Sequence, residues 1–200
     1  MQEYLNNSAV KKLQLGAGGN ILQGWLNTDY QPMTAAVHQL DASTRFPFED
    51  NTFDYVYSEH MIEHLTFAQG QVMLSETYRV LKPGGRFRLT CPDFEFLIRM
   101  YKEPSGMSSS YVNWATGDIK WAPYADPIFV INNYVRDWGH QFIYDKYVMT
   151  NCLQAAGFVN ITEHRLLESN DENLKNLEVT WRMPPNFLQL ESMTFECTKQ

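Results

Sequence analysis

The sequence predicts an α/β fold with a mostly parallel sheet and an aromatic-rich helical cap inserted near its middle. Short β-prone runs alternate with glycine turns up to residue 91, and an amphipathic helix connects two of them. Thirteen aromatic side chains then crowd residues 94–147. A strand, a helix and a second strand in that order form a right-handed crossover in a parallel sheet. The 200 residues suffice for a single domain, 1–200, with a cap insertion at about 94–143.

Composition and charge narrow the function classes. Hydrophobic residues make up 44% of the chain and charged residues 20%, which is typical of globular proteins. The 16 Lys and Arg against 23 Asp and Glu give a net charge of −7, which disfavours a general nucleic-acid binder. No apolar run is long enough to span a membrane, the first residues do not resemble a secretory signal, and three separated cysteines fit a reducing compartment. We therefore expect a cytoplasmic enzyme without nucleic-acid or membrane partners, and leave its oligomeric state open.

Five strands are predicted before the aromatic-rich region, at residues 11–15, 25–29, 37–41, 53–58 and 86–91. A helix precedes the last of them, since Leu74, Tyr78 and Leu81 recur at helical spacing. The sequence Pro83-Gly84-Gly85 is its stop signal. Four basic residues near this point are expected to form a solvated face: Arg79, Lys82, Arg86 and Arg88.

Three further elements are predicted after the aromatic-rich region. The stretch YDKYVMTNCLQAAGF has the periodicity of a helix, and Gly157 is its stop signal. Two strand-like runs follow at 158–166 and 188–198, and we expect them to pair as an antiparallel edge. The residues between these runs, about 168–188, receive no role.

A glycine turn, LQLGAGGN, follows the first predicted strand. Glycine lets the backbone approach a ligand closely at this edge of an open α/β sheet. A dinucleotide fingerprint would need a third glycine where Ile21 stands, so a nicotinamide enzyme is disfavoured. Only ten residues, Gly16 to Trp25, separate the first two strands, which predicts a very short or absent helix between them.

Two carboxylates lie where a nucleoside needs them. Asp29 ends the second predicted strand, where it is positioned to accept hydrogen bonds from ribose hydroxyls. Asp41 ends the third, where it is positioned to accept one from an adenine amino group. Aspartate also commonly ends strands and opens turns, but together with the glycine turn the pair favours a nucleoside site.

Three stretches carry a resemblance to a known family: KLQLGAGGNILQGWLNTDY, LDASTRFPFEDNTFDYVYSEHMIEHL and ETYRVLKPGGRFRLTCPD. They resemble the class I S-adenosylmethionine-dependent methyltransferases, and more narrowly a small bacterial, type 11-like branch. The likeness runs from about residue 11 to 165. It implies a Rossmann-like, seven-stranded sheet with an antiparallel last strand. It also implies methyl transfer from S-adenosylmethionine, with S-adenosylhomocysteine as product, to a small-molecule acceptor. On the resemblance we expect a hydroxyl of a sugar or natural product; a non-catalytic binding module and an N-methyltransferase are the alternatives.

The resemblance also assigns cofactor contacts. It places Gly16 and Gly18 at the methionine end of the cofactor, Asp29 at the ribose, and Asp41 at the adenine. The full expected set is Gly16, Ala17, Gly18, Asp29, Tyr30, Asp41, Ala42, Ser58 and Glu59.

The segment SEHMIEH follows the fourth predicted strand, and His60 and His64 are expected to share a helical face. HxxEH is also the inverted zinc-peptidase motif, which the context after a nucleotide turn disfavours. Some class I methyltransferases carry ExxEH here and bind a divalent metal, so Glu63, His64 and His60, with or without His140, form a second interpretation. The third places His60 near the methyl-transfer site while His64 caps or packs the helix. We favour the third, expect no metal, and expect Met61 and Ile62 to be core residues.

A hydroxyl acceptor requires a base, and histidine suits that role near neutral pH. His60 and His140 are the predicted catalytic residues, and Asp93 is a weaker carboxylate candidate. An amine or pre-ionised phenol would need no strong base. The aromatic density of the predicted cap suits a lid that excludes water, and the resemblance places YVRDWGHQFIYD over the substrate.

Overall fold

A seven-stranded sheet runs through the centre of the computed structural model, which describes residues 1–103 and 105–200. Its strands are β1 (Lys12–Leu15), β2 (Leu26–Asp29), β3 (His38–Gln39), β4 (Phe53–Glu59), β5 (Leu81–Pro92), β6 (Phe158–His164) and β7 (Ser192–Lys199). They lie in the order β3-β2-β1-β4-β5-β7-β6. Strand β7 is antiparallel to both of its neighbours, whereas the other pairs are parallel. The predicted mostly parallel sheet with an antiparallel last strand is confirmed.

Helices flank the sheet, and four of those in the described residues begin at side-chain caps. They are α1 (Gln2–Asn7), α2 (Phe67–Val80), α3 (Phe94–Lys102), α4 (Met107–Asp118), α5 (Pro127–Arg136), α6 (Lys146–Ala155) and α7 (Phe187–Glu191). Thr66 and Gln69 form a capping box at the start of α2, and Asp93, Asp126 and Asp145 cap α3, α5 and α6. Among the described residues, none of these helices is both long and apolar enough to cross a membrane. The helices predicted on either side of the aromatic-rich region, α2 and α6, are confirmed.

The predicted strand at 188–198 starts too early. Helix α7 occupies its first residues and β7 begins only at Ser192. Phe187 is buried in the α3–α5 cluster, and the Glu191 carboxylate accepts hydrogen bonds from the Tyr111 and Tyr134 hydroxyls. This part of the prediction is wrong because contacts far along the chain hold the stretch as a helix.

The connections in the first part of the sheet carry turns in place of helices. Residues 16–25, 30–37 and 40–52 are all described, and none of them forms a helix. The expectation of a very short or absent first crossover helix is therefore confirmed. The strand predicted at 37–41 is reduced to the two residues of β3, which pairs with β2 alone at the sheet edge.

The two faces of the sheet are covered by different kinds of structure. Side chains alternate between faces along a strand, so Val56 points into the core beneath α2 and α6 while Tyr57 points the other way. On the second face the cover is residues 165–186, which are neither helix nor strand and which we call the covering segment. Its Leu174 and Leu177 pack with Trp25 and Tyr57.

The aromatic-rich region forms three helices with an apolar cluster of their own. Helices α3, α4 and α5 pack together, and α7 joins them. The cluster includes Phe96, Tyr111, Val130, Tyr134 and Phe187. Much of the aromatic density at 94–143 is thus packing, and the function of this region as a lid over an acceptor stays a prediction.

The expected solvated face of basic residues is wrong for Arg88. Its side chain is fully buried, and it donates hydrogen bonds from Nε to Glu178 at 2.6 Å and from Nη1 to Glu196 at 2.7 Å. Alternation with Phe87 directs Arg88 to the second face, under the covering segment. The carboxylates that neutralise it come from distant parts of the chain, so the local cluster of basic residues did not reveal the burial.

Candidate active site

One cavity of about 890 Å³ opens at the carboxyl ends of β1, β2 and β3. Six of the nine residues predicted to bind a cofactor line it: Gly16, Gly18, Asp29, Tyr30, Asp41 and Ala42. They come from three successive connections of the chain, and the parallel strands bring them to the same edge of the sheet. Their cofactor roles stay a prediction.

The glycine turn begins where β1 ends. Gly16 and Gly18 have φ of +68° and +50°, a region that favours glycine. A Cβ on Gly16 would clash with the side chain of Met61, whereas one on Gly18 would meet nothing within 4 Å. Ala17 is buried between them, and its N–H donates to the Thr28 carbonyl at 2.9 Å, so Ala17 is not among the residues that line the cavity. Gly18 therefore leaves the backbone open toward the cavity.

The two predicted carboxylates are held by local hydrogen bonds. Asp29 accepts from the N–H of Gly18 at 2.8 Å and from that of Gln31 at 2.9 Å. Asp41 accepts through Oδ1 from the N–H and the hydroxyl of Ser43, at 2.9 and 2.6 Å. These bonds fix both carboxylates at the cavity wall, and each oxygen keeps lone pairs for a ligand.

Ser58 and Glu59, like Ala17, are predicted cofactor residues that do not line the cavity. Ser58 is fully buried in β4. Glu59 points to the second face, where it accepts hydrogen bonds from the Val179 N–H at 3.0 Å and the Tyr57 hydroxyl at 3.1 Å. Arg182 lies 3.4 Å from the same carboxylate. Glu59 thus ties the covering segment to the sheet.

His60 lines the cavity immediately after β4. Its φ of +45° is unusual for a residue with a side chain and marks a sharp turn. The ring Nε2 lies 2.8 Å from the Ser192 hydroxyl and Nδ1 lies 3.3 Å from Oε1 of Glu63. Burial lowers the pKa of His60 to about 4, so the ring is neutral near pH 7.

His64 does not play the structural role expected for it. The residues after His60 form a single 3₁₀ turn, Ile62–His64, so His60 and His64 do not share an α-helical face. Thr66 caps α2, and the His64 ring lines the cavity instead. His64 was expected to cap or pack the helix, and the capping half of that expectation is wrong because Thr66 is the cap.

Glu63, His64 and His140 come together at one end of the cavity. Each offers a ligand atom, and these atoms all lie within 4.8 Å of one another. The His64 and His140 rings meet edge to face, with centroids 5.0 Å apart. Burial raises the pKa of Glu63 and lowers that of His140. His140 itself is not among the residues that line the cavity, whereas its neighbour Gly139 is.

Other residues behave differently from their sequence-based interpretation. Ile62 is buried as expected, but Met61 lines the cavity, because the turn after β4 carries it over Gly16. Gln69 and Gly139 also line the cavity and were not singled out as contacts. Asp93 caps α3 by accepting from the Glu95 N–H at 2.9 Å, which accounts for that carboxylate without a catalytic role.

A second, smaller cavity lies at the opposite end of the strands, near the start of β4. It has a volume of about 300 Å³ and is lined by Asp54, Lys82 and Gly84 among others. Asp54 and Lys82 form an ion pair with each other at 2.7 Å. The candidate site is therefore the larger cavity, where the glycine turn and the histidines meet.

A family model described as a methyltransferase domain matches residues 13–89. This range begins in β1 and ends in β5, and it includes the glycine turn, both aspartates and the SEHMIEH segment. The match therefore covers every residue that lines the cavity except Gly139, and it stops before the aromatic-rich region.

Two curated proteins match parts of the chain. Sterol 24-C-methyltransferase of Schizosaccharomyces pombe is 41% identical over 78 residues, which is 33% of this chain and 20% of that protein. Phosphoethanolamine N-methyltransferase 2 of Caenorhabditis elegans is 42% identical over 45 residues, or 22% of this chain and 10% of that protein. The chain thus spans a fifth or less of the length of these relatives.

Solved structures extend the likeness to the whole chain. An S-adenosylmethionine-dependent methyltransferase from Archaeoglobus fulgidus superimposes with a TM-score of 0.56 at 15% identity, covering 99% of this chain and 90% of that one. At this identity the likeness concerns the fold, including the parts outside residues 13–89. Together, the family model over residues 13–89 and the fold of the whole chain support a class I S-adenosylmethionine-dependent methyltransferase, with S-adenosylmethionine as the methyl donor.

Proposed function

We propose that the protein transfers a methyl group from S-adenosylmethionine to a hydroxyl of a small molecule such as a sugar or natural product. The observation that carries the proposal is the shared cavity. It brings an open glycine turn, Asp29 and Asp41 together at the ends of three neighbouring parallel strands, with His60 across from them. Such an edge is where open α/β sheets bind ligands.

The cavity residues that follow β1, β2 and β3 fit the cofactor. Gly18 leaves room for the close approach of a ligand because a side chain there would point into open space. Asp29 is positioned to accept hydrogen bonds from the ribose hydroxyls and Asp41 to accept one from the adenine amino group, while Ala42 offers an apolar contact. When bound, S-adenosylmethionine supplies an electrophilic methyl group, so the main tasks of the protein are to position the acceptor and to exclude water.

The histidines define the acceptor side of the proposal. His60 lines the cavity, and its neutral ring can accept a proton or a hydrogen bond from an acceptor hydroxyl when Nε2 exchanges its contact with the Ser192 hydroxyl for that acceptor. With a lowered pKa it is a weak base, which favours an acceptor hydroxyl that loses its proton easily. His140 donates from Nδ1 to the Tyr134 carbonyl at 2.8 Å and keeps Nε2 as an acceptor.

A small-molecule acceptor is supported by charge and by the size of the site. The chain carries a net charge of −7, which opposes binding of a polyanion such as nucleic acid. The cavity of about 890 Å³ is within the usual range for small-molecule sites. The two curated relatives are named for a sterol and for phosphoethanolamine, and their matches cover only 33% and 22% of this chain.

Calorimetric titration of S-adenosylmethionine and S-adenosylhomocysteine into metal-free protein tests the cofactor part. We expect micromolar binding, reduced by Asp29→Ala by about 30–150-fold, since two hydrogen bonds of about 1–1.5 kcal/mol each are lost. Asp118→Ala, which removes an exposed carboxylate at the end of α4, is the matched control and is expected to bind normally.

The outcomes separate the alternatives. An absence of binding by the wild-type chain would overturn the proposal and leave a binding module with another ligand. Cofactor binding followed by transfer to amines but not to sugars or phenols would keep the methyltransferase and replace the hydroxyl acceptor. In that case, substitution of His60 and His140 should leave most of the rate.

A further inference from the structure

We infer that Glu63, His64 and His140 form a binding site for one divalent transition-metal ion at the acceptor end of the cavity. The three residues combine two imidazoles with one carboxylate, and their ligand atoms lie within 4.8 Å of one another. The proposed binding of the cofactor by Gly18, Asp29 and Asp41 does not require this arrangement. The inference therefore rests on these side chains and their surroundings.

The buried carboxylate of Glu63 is the strongest single observation. Its side chain is completely buried, and neither carboxylate oxygen has a hydrogen-bond partner among the described residues. The nearest basic atoms are Nδ1 of His60 at 3.3 Å and Nε2 of His64 at 4.0 Å. Buried carboxylates are normally paired, hydrogen-bonded or bound to a metal, because an isolated one is costly. An ion between Glu63 and the two facing histidines satisfies the carboxylate.

His140 is oriented as metal-binding histidines usually are. Its Nδ1 donates to the backbone carbonyl of Tyr134 at 2.8 Å, which leaves the Nε2 lone pair free. Such a bond from the second ring nitrogen fixes the tautomer and the direction of the ring. The backbone of α5 thus holds His140 with its coordinating nitrogen exposed to the cluster.

His64 completes the set and has room to move. Its side chain is 41% exposed, and its ring faces that of His140. Two ligand atoms at about 2.1 Å from one tetrahedral ion are about 3.4 Å apart, so closing the site requires side-chain movements of about 1 Å. His60 lies outside the set, because its Nε2 contacts the Ser192 hydroxyl and its Nδ1 faces Glu63.

The ligand types select the class of ion. Two imidazoles and a carboxylate suit Zn²⁺, Fe²⁺, Co²⁺ or Mn²⁺, whereas Mg²⁺ and Ca²⁺ prefer an all-oxygen set. Three protein ligands leave at least one coordination position open, and His64 and Gly139 line the cavity, so that position faces the acceptor end. This last point rests on the proposed function: an acceptor hydroxyl on the ion would lose its proton more easily.

Metal uptake by tag-free, metal-stripped protein tests the inference. We expect one equivalent of Zn²⁺ in competition with a chromophoric chelator, and ligand-field absorption when Co²⁺ replaces it. The variants Glu63→Gln, His64→Ala and His140→Ala are each expected to weaken binding at least about 100-fold, since changes to outer-shell partners alone cost about 10–100-fold.

Two histidines elsewhere give matched controls. His38→Ala and His164→Ala remove imidazoles on β3 and β6, and both variants are expected to bind the ion as wild type does. Circular dichroism checks that each variant is folded. If Glu63→Gln fails to fold, His64→Ala still decides the question, because its side chain is partly exposed.

The same titrations separate this inference from the proposed function. Asp29→Ala should lose S-adenosylmethionine binding and keep the metal, whereas His64→Ala should lose the metal and keep S-adenosylmethionine. Failure of wild type to take up Zn²⁺ or Co²⁺ would overturn the inference, and so would equal uptake by wild type and the three ligand variants. Either result would indicate a protonated Glu63 that hydrogen-bonds to His60.

Discussion

The two faces of the sheet are stabilised in different ways. On one face, α2 and α6 cover an apolar core that includes Leu74, Val56 and Leu153. On the other, the irregular covering segment lies over a smaller apolar cluster and over the fully buried side chain of Arg88. The same strands thus have an apolar face under helices and a partly charged face under a segment without regular structure.

Strand β5 shows why the faces differ. Three side chains point into the helix-covered core: Phe87, Leu89 and Cys91. The alternate residues point to the covering segment: Arg86, Arg88 and Thr90. A helix satisfies its own backbone groups, but an irregular segment needs partners from elsewhere. Arg88 supplies two of them by donating to the carbonyls of Glu168 and Arg165, at 2.9 and 3.3 Å.

The covering segment also supports the site. The Asn20 side chain, in the connection after β1, donates to the Leu177 carbonyl at 3.0 Å. Glu59, next to His60, accepts from the Val179 N–H at 3.0 Å. Where a crossover helix would ordinarily back the glycine turn, this chain uses a segment from near its other end. The missing helix is thus replaced by long-range polar contacts.

Among the changes that test this difference between the two faces, loss of the buried Arg88 charge should reduce stability the most. In Arg88→Ala, Glu178 and Glu196 keep buried carboxylates without their shared partner. We expect the free energy of unfolding to fall by about 3–5 kcal/mol, as for other broken buried pairs. Urea denaturation followed by circular dichroism measures it.

An exposed arginine provides the control for that measurement. The Arg99 side chain is 60% exposed, and its ion pairs to Asp93 and Glu95 are long, so Arg99→Ala should cost about 0–1 kcal/mol. If Arg88→Ala cost no more than Arg99→Ala, the polar network would not be what holds the covering segment.

A matched pair of leucines compares how well each cover packs. Leu74 on α2 and Leu174 in the covering segment are both fully buried. Leucine-to-alanine changes in cores cost about 2–5 kcal/mol, depending on how far the surroundings collapse into the space. We expect Leu74→Ala near the upper end of this range and Leu174→Ala near the lower end, because an irregular segment can relax more than a helix. Equal losses in denaturation midpoint would show that the covering segment is as rigid as α2.

The smallest expected effect is a pH dependence in the covering segment. Burial acts to raise the pKa of Asp171, but hydrogen bonds from the Asn173 N–H and the Tyr55 hydroxyl, with the charge of Arg86, lower it overall. A carboxylate with a lowered pKa stabilises the fold fully above its unfolded pKa of about 3.9, and this contribution is lost as the pH falls through the native value.

Thermal melting of wild type and Asp171→Asn across pH measures this contribution. The variant should melt at a lower temperature than wild type at pH 7, and the difference should shrink below about pH 4. Asp118→Asn, at the exposed end of α4, should show no such trend. A difference that persisted unchanged at low pH would mean that the Asp171 charge does not contribute.

Much of the sheet could be predicted because its signals are local. The runs that became β1, β2 and β4 have strand-forming residues between turn signals, and α2 has a clear helical period and ends at Val80, shortly before the predicted stop at Pro83. The glycine turn, Asp29 at the end of β2 and Asp41 just after β3 lie at one edge as predicted, because the ends of parallel strands must meet there.

Other features depended on partners far away in the sequence. The start of β7 was misplaced because α7 is held by residues of α4 and α5. The local sequence predicts Arg88 at the surface, because its carboxylate partners, Glu178 and Glu196, lie about ninety residues or more along the chain. Residues 168–188 received no role because an irregular segment has no periodic signal to read.

Most of the strand and helix pattern, the absence of a first crossover helix and the residues available for a nucleoside site can be predicted from the sequence. These follow from spacing and from local conformational preference, which act over a few residues. The cluster of His140 with Glu63 and His64, and the burial of Arg88 under the covering segment, become visible only in the folded chain. Those contacts join residues about eighty or more positions apart, and their energy depends on burial, which exists only once the chain has folded.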